Sequence, residues 1–180
     1  MTRVAVLAAI AMVATSPLAT IARAPGKGTV ILLDSNVPEL DDEFTSFFAE
    51  TLRSRGVRVV DPSSVQLTYH ERASIVAVVF DSMAAVSESR VAWIETKYGA
   101  PRALFARVRI NVTSLPYGEF TVHQVRSVCS FRCMDVRTHE VIKAGRTNAE
   151  RRGEDLEHVQ GLAANDAIIS SARAAAASLR

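Results

Sequence analysis

The side chains best able to do chemistry in this 180-residue sequence lie around Cys129 and Cys133. A thiolate nucleophile needs a base within proton-transfer reach. His123 is six residues from Cys129, which is about 20 Å along one strand, so the pair cannot exchange a proton. A zinc site built from the two cysteines with His123 or His139 has the wrong local spacing for the common finger patterns. Cys129 and Cys133 are four apart in strand-like sequence and share a face at about 13 Å, whereas a disulfide needs Cα atoms within about 7 Å. In an oxidising compartment three states stay open for them. They are two buried thiols (the favoured reading), a pair drawn together by a bulge, or links to another chain. His70-Glu71 has the types of an acid–base pair, but a solvated loop pair is the commoner use of such a dipeptide. Glu39, Asp41, Asp42 and Glu43 could suit a divalent cation, yet carboxylates in a first helical turn more often complement the helix dipole. No catalytic, metal or cofactor residue is assigned. Asn111-Val112-Thr113 matches a glycosylation sequon, which matters only in a eukaryotic secretory host.

The elements that must position these groups centre on Ala103 to Gly145. Leu104, Ala106, Val108, Ile110 and Val112 alternate with Phe105, Arg107, Arg109, Asn111 and Thr113, so one strand face is apolar and the other largely wet. Pro116-Tyr117-Gly118 supplies turn chemistry. Phe120 to Val136 is strand-like again, but its apolar phase slips. Phe120 and Val122 have one parity, and Val125, Cys129, Phe131 and Cys133 the other, which predicts a bulge or bend near Gln124. A tight turn at Arg137-Thr138-His139 then leads into a third, short strand at Val141 and Ile142.

Thr29 to Leu33 reads as a central strand buried on both faces. Leu40, Phe44, Phe47, Phe48 and Leu52 form a helical stripe, with Pro38 in the first turn and Gly56 as its left-handed stop. Val57 to Val60 follows as a second strand closed by Asp61-Pro62, completing a crossover unit with parallel strands. Its first loop, Asp34-Ser35-Asn36-Val37-Pro38, lacks the glycine-rich phosphate fingerprint, so a dinucleotide enzyme is not expected. Ser63 to Ala100 is ambiguous: Ile75 to Phe80 is strand-like between helical segments, and Val86 to Lys97 has helical spacing ending at Gly99. Trp93 reads as a core anchor. Leu156, Val159, Leu162, Ile169, Ala172, Ala176 and Leu179 mark a long alanine-rich helix that should cover the sheet.

At 48% hydrophobic, the chain can bury one good core. Residues 1–24 read as an export leader, with Arg3, an apolar run from Val4 to Val13, and cleavage near Ala22 or Ala24. The competing reading is a buried N-terminal helix. Residues 25–180 then form a single domain. The chain has 21 basic and 19 acidic residues, and Arg3 and Arg23 belong to the leader. The remainder is formally neutral with no basic block, which argues against nucleic acid as a partner. No cysteine lies near the leader's exit, so a lipid anchor is not expected.

The order of elements resembles the superfamily containing the amino-terminal domain of TolB, CsgG, LpoB and the middle domain of FlgT. The residues that carry the resemblance are Thr29-Val30-Ile31-Leu32-Leu33, Leu52 through Gly56, Val59-Val60-Asp61, Lys97-Tyr98-Gly99-Ala100, and Asp135 through Val141. In such domains the last is commonly Asp-x-x-Thr-Gly-x-Val. Here His139 stands at the glycine, and histidine tolerates the left-handed region better than most residues. The structural turn residues are thus Asp135, Thr138 and His139. The resemblance implies an α+β two-layer sandwich, with a mixed, curved sheet and helices mainly on one face. It also implies a periplasmic assembly or regulatory module, and carries no catalytic residue across. CsgG is a lipid-anchored pore, but Arg107, Arg109, Arg126 and Arg132 would burden a lipid-facing hairpin, so a pore is not expected.

These readings converge on an exported periplasmic or secreted accessory protein, membrane-proximal but not spanning. It would bind a protein partner in envelope assembly, secretion or cell-wall regulation, with self-assembly into a homo-oligomer left open. Leu115, Tyr117 and Phe120 at the hairpin tip are the candidate partner-binding residues. The alternatives are a small hydrolase-like exported enzyme using His70, Glu71, His123 and Cys129, or a ligand-sensing domain with an apolar cavity.

Overall fold

Alternation along one long strand decides where the core lies. In β2 (Arg102–Tyr117), Leu104, Ala106, Val108 and Ile110 are buried on one sheet face. The computed structural model describes residues 28–81 and 88–179; the leader expected at residues 1–24, with its cleavage site, lies outside the described residues. β2 pairs antiparallel with β3 (Phe120–Asp135), and β3 pairs antiparallel with β4 (Val141–Gly153). β1 (Thr29–Ser35) lies parallel to β2 on its other side, so the order is β1-β2-β3-β4 in a mixed, curved sheet. The fold is α+β, with the main helical layer on one face.

That layer is α1 (Asp41–Ser54) and α4 (Leu156–Leu179). A 3-10 turn at Pro38–Leu40 leads into α1, which buries Phe44, Phe48, Ala49 and Leu52. Gly56 ends it at φ +81°, a left-handed conformation that a Cβ would strain. The inner face of α4 is narrower than expected from its apolar residues. Ala163, Ala164, Ala167, Ile168, Ala172, Ala175 and Ala176 are buried, whereas Leu162 is exposed. Alanine lets the helix approach the sheet closely enough for backbone contacts. Thr147 Oγ1 donates to the Ala167 carbonyl at 2.6 Å, and Ser171 Oγ donates to the Cys129 carbonyl at 3.2 Å.

The reverse face carries a smaller cover. α2 (Tyr69–Asp81) and α3 (Glu88–Tyr98) pack Ile75, Val76, Val79, Val91 and Ile94 on Val30, Leu32, Phe105 and Met134. β1 is therefore buried on both faces although it ends the sheet order, where a central position was expected. The strand-like run Ile75 to Phe80 is helical. Thr68 and Glu71 form a capping box, with Glu71 Oε2 accepting from Thr68 N at 2.8 Å and Thr68 Oγ1 from Glu71 N at 3.3 Å. Val57 to Val60 is reduced to a single parallel bridge between Val59 and Thr29. Pro62 has no N–H and opens a 3-10 turn, which prevents the pairing from continuing.

No bulge occurs near Gln124. The β2–β3 register runs unbroken from Arg102↔Asp135 to Tyr117↔Phe120, and the irregularity falls between Cys133 and Met134 in the β3–β4 pairing. The phase slip has another cause: Phe120 and Val122 lie beyond the helical cover, where neither parity has a core to face. The third strand is also long, at 13 residues.

Candidate functional site

The β2–β3 hairpin outruns the other described elements. Every β2 residue from Asn111 to Tyr117 is exposed. β4 ends at Gly153 opposite His123, so the hairpin continues from there as a two-stranded ribbon, turned by Gly118 at φ +62°. Strand parity puts the cross-strand pairs Leu115↔Val122 and Tyr117↔Phe120 on one face. Leu115, Tyr117 and Phe120 are 50%, 77% and 60% exposed. An apolar cluster thus stands at the end of a projecting ribbon. Val122, paired with Leu115, completes it.

The same face continues inward as a field of arginines. Arg107 and Arg109 on β2, Arg126 and Arg132 on β3, and Arg146 and Arg152 on β4 share this side of the sheet by register. Ser130 lies directly between Arg107 and Arg146. Asp34, buried at the end of β1, holds Arg109 at 2.9 Å, and Asp81 grips Arg107 with two bonds of 2.7 and 3.1 Å. That grip lowers the Asp81 carboxyl below its ordinary value and raises the Arg107 guanidinium above its own. Arg132 donates to the Val79 carbonyl, and Arg107 and Arg132 both stack on the Phe80 ring, at 5.0 and 5.3 Å. Glu150 pairs with Arg152 at 3.3 Å. Arg126 and Arg146 have no carboxylate partner among the described residues.

The groups considered for catalysis do not converge. Glu71 is committed to its capping box, and hydrogen bonds from Thr68 hold its carboxyl below the usual range. His70 packs edge-on against Tyr69 at 5.4 Å on α2. His123 shares a 2.9 Å hydrogen bond with Ser114 across the hairpin. Cys129 and Cys133 are unbridged and buried on the core face of β3. Burial pushes their thiols up to about 12 and about 11. A depression of about 300 Å³ between α1 and α2 is lined by Asp42, Thr45, Pro62, Leu67 and Arg72. Its two charges are already joined, Arg72 to Asp42 at 2.8 Å. Among the described residues no three His, Cys, Asp or Glu side chains are grouped to hold a metal. No described helix is long and apolar enough to cross a membrane.

The turn after β3 is built by Asp135. Its Oδ1 accepts from Arg137 N at 2.9 Å and Thr138 N at 3.0 Å, and its own amide donates to the Glu140 carbonyl at 3.0 Å. The amides, Thr138's first, hold the Asp135 carboxyl below its ordinary value. His139 occupies the left-handed region at φ +58°.

No family model matches the chain, and no curated protein does. Among solved structures it is similar to a hypothetical protein from Chlamydia trachomatis. The two are 14% identical over 85% of this chain and 98% of that one, with a TM-score of 0.56, a likeness of fold. Weaker likenesses include the PelC dodecamer from Paraburkholderia phytofirmans, 16% identical over 86% and 89% of the two chains at 0.49. The LpoB C-terminal domain from Salmonella enterica is 16% identical over 71% and 84% at 0.44.

Proposed function

We propose that the protein is an exported accessory factor of the cell envelope that works by binding another protein through the end of its β2–β3 hairpin. The observation that carries this reading is the exposure of Leu115, Tyr117 and Phe120 on one face of a ribbon that extends past its own core. Aromatic side chains bury large area at little entropic cost, and tyrosine is enriched where interfaces concentrate their energy. The leader-like sequence of residues 1–24 and the resemblance to periplasmic assembly modules support an envelope compartment. The separation of His70 and Glu71 from His123 and Cys129 leaves the enzyme alternative without an assembled centre to support it.

The test is crosslinking in the envelope fraction with wild type and a Y117S/F120S variant. These side chains contribute nothing to the core, so the variant should melt with wild type and lose the crosslinked partner. Recovery of the same adduct at the same yield would refute the hairpin end as the contact.

A further inference from the structure

The outer edge of β4 and the arginines beside it form a second surface, independent of the hairpin end. β4 closes the sheet order, so among the described residues its outward-pointing backbone N–H and C=O groups have no strand to pair with. A polypeptide strand satisfies such a row of groups, whereas a lipid or a nucleic acid cannot pair along it. The strand is basic: Lys143, Arg146, Arg151 and Arg152 stand against Glu150 alone. Two copies paired edge to edge would oppose like net charge, while an acidic chain would be attracted.

The side chains next to this edge point to carboxylates. Among the described residues, the acids that reach this face, Asp34, Asp81 and Glu150, each already serve an arginine. Arg146 on the edge strand and Arg126 on its neighbour have none among the described residues. Cross-strand neighbours on one face lie about 5 Å apart, so a fifth strand would bring a side chain directly opposite Arg146. A guanidinium and a carboxylate meet there as a two-pronged, charge-assisted pair, the geometry Asp81 already uses on Arg107.

We propose that β4 accepts an extended acidic segment of a partner protein as a fifth strand, with alternate carboxylates facing Arg146 and the arginine field. The probe is a fluorescein-labelled octapeptide alternating glutamate and threonine, titrated against the full chain by anisotropy. It should bind, and R126E/R146E, both at exposed positions and checked for an unchanged melt, should weaken it at least about tenfold. The same peptide N-methylated at alternate amides should also lose binding, because strand pairing needs those N–H groups. The Y117S/F120S variant should bind the octapeptide as wild type does, which separates this surface from the hairpin end. Any of four results overturns the proposal. These are no binding by wild type, equal binding of the N-methylated peptide, equal or tighter binding of an oligothymidylate or of phosphatidylglycerol vesicles, and self-association through β4 that R146E abolishes.

Discussion

The ring of Phe131 fills the space that a side chain on Gly145 would need. The two residues face each other across the β3–β4 ladder, and a Cβ at Gly145 would stand 2.6 Å from Phe131 Cε1. Phe131 is fully enclosed in the core between the sheet and α4, so its ring has little room to swing aside. The glycine is needed here for space.

Gly145→Ala should therefore destabilise the protein by about 1–3 kcal/mol, the usual cost of forcing a methyl into a packed core. Urea unfolding of G145A against wild type measures it. Pairing the change with Phe131→Leu should return part of the loss, since the clash partner becomes smaller. A neutral G145A would show that the ring is free to move.

Asp41 is a second internal tension. It opens α1, yet it is only 2% exposed. Burial raises its carboxyl above the ordinary 3.8, helped by the nearby charge of Asp34, while Ser35 and Arg72 pull the other way. A raised carboxyl means that the folded chain holds a proton the unfolded chain has released. Stability from this group is thus present at low pH and is lost as pH rises from 3.8 through the folded value. Asp41→Asn removes that loss. D41N should melt above wild type at pH 7, by ~2–4 °C for each kcal/mol recovered, and the gap should close towards pH 3.8. A gap that does not change with pH would mean that Asp41 is ionised at no cost.

Cys129 and Cys133 should resist a thiol reagent at pH 8 in the folded protein and react fully after unfolding. Their raised values carry a sign of their own. Above the ordinary 9.0 the unfolded thiols ionise while the buried ones keep their protons, so stability falls as pH rises past 9. At pH 10 the loss is about 1 kcal/mol per thiol. Chemical denaturation at pH 8 and pH 10 reads this, and Cys129→Ser, whose hydroxyl does not titrate there, should remove about half of the fall. Rapid labelling of the folded protein would show that β3 opens to solvent.

Much of the fold was legible wherever one period ran uninterrupted. Phe44, Phe48 and Leu52 announced α1, and Leu104 to Ile110 announced the core face of β2, because each run meets a single buried surface. Ile75 to Phe80 misled because β-branched residues suit both a strand and a helix pressed on a sheet. The arbitrating signal is Thr68 three residues before Glu71, a capping box that places Glu71 in a first helical turn and not in a solvated loop pair with His70. Phe120 and Val122 suggested a bulge because parity was assumed to refer to a core that does not extend so far.

By itself the sequence determined β1, α1, α4, the long β2–β3 hairpin with its apolar end, the Asp135 turn and the near-neutral charge, since all of these are local or additive properties of the chain. The tertiary structure alone decided where the charge collects. Arg107, Arg126 and Arg146 are far apart in the chain and show no basic block, yet strand register sets them on one face of one sheet. It also decided that β1 and β4, the two ends of the sheet order, differ. β1 is buried on both faces and bridged by Val59, while β4 has no further strand beside it among the described residues, because that is settled by how helices and segments distant in sequence pack on the sheet.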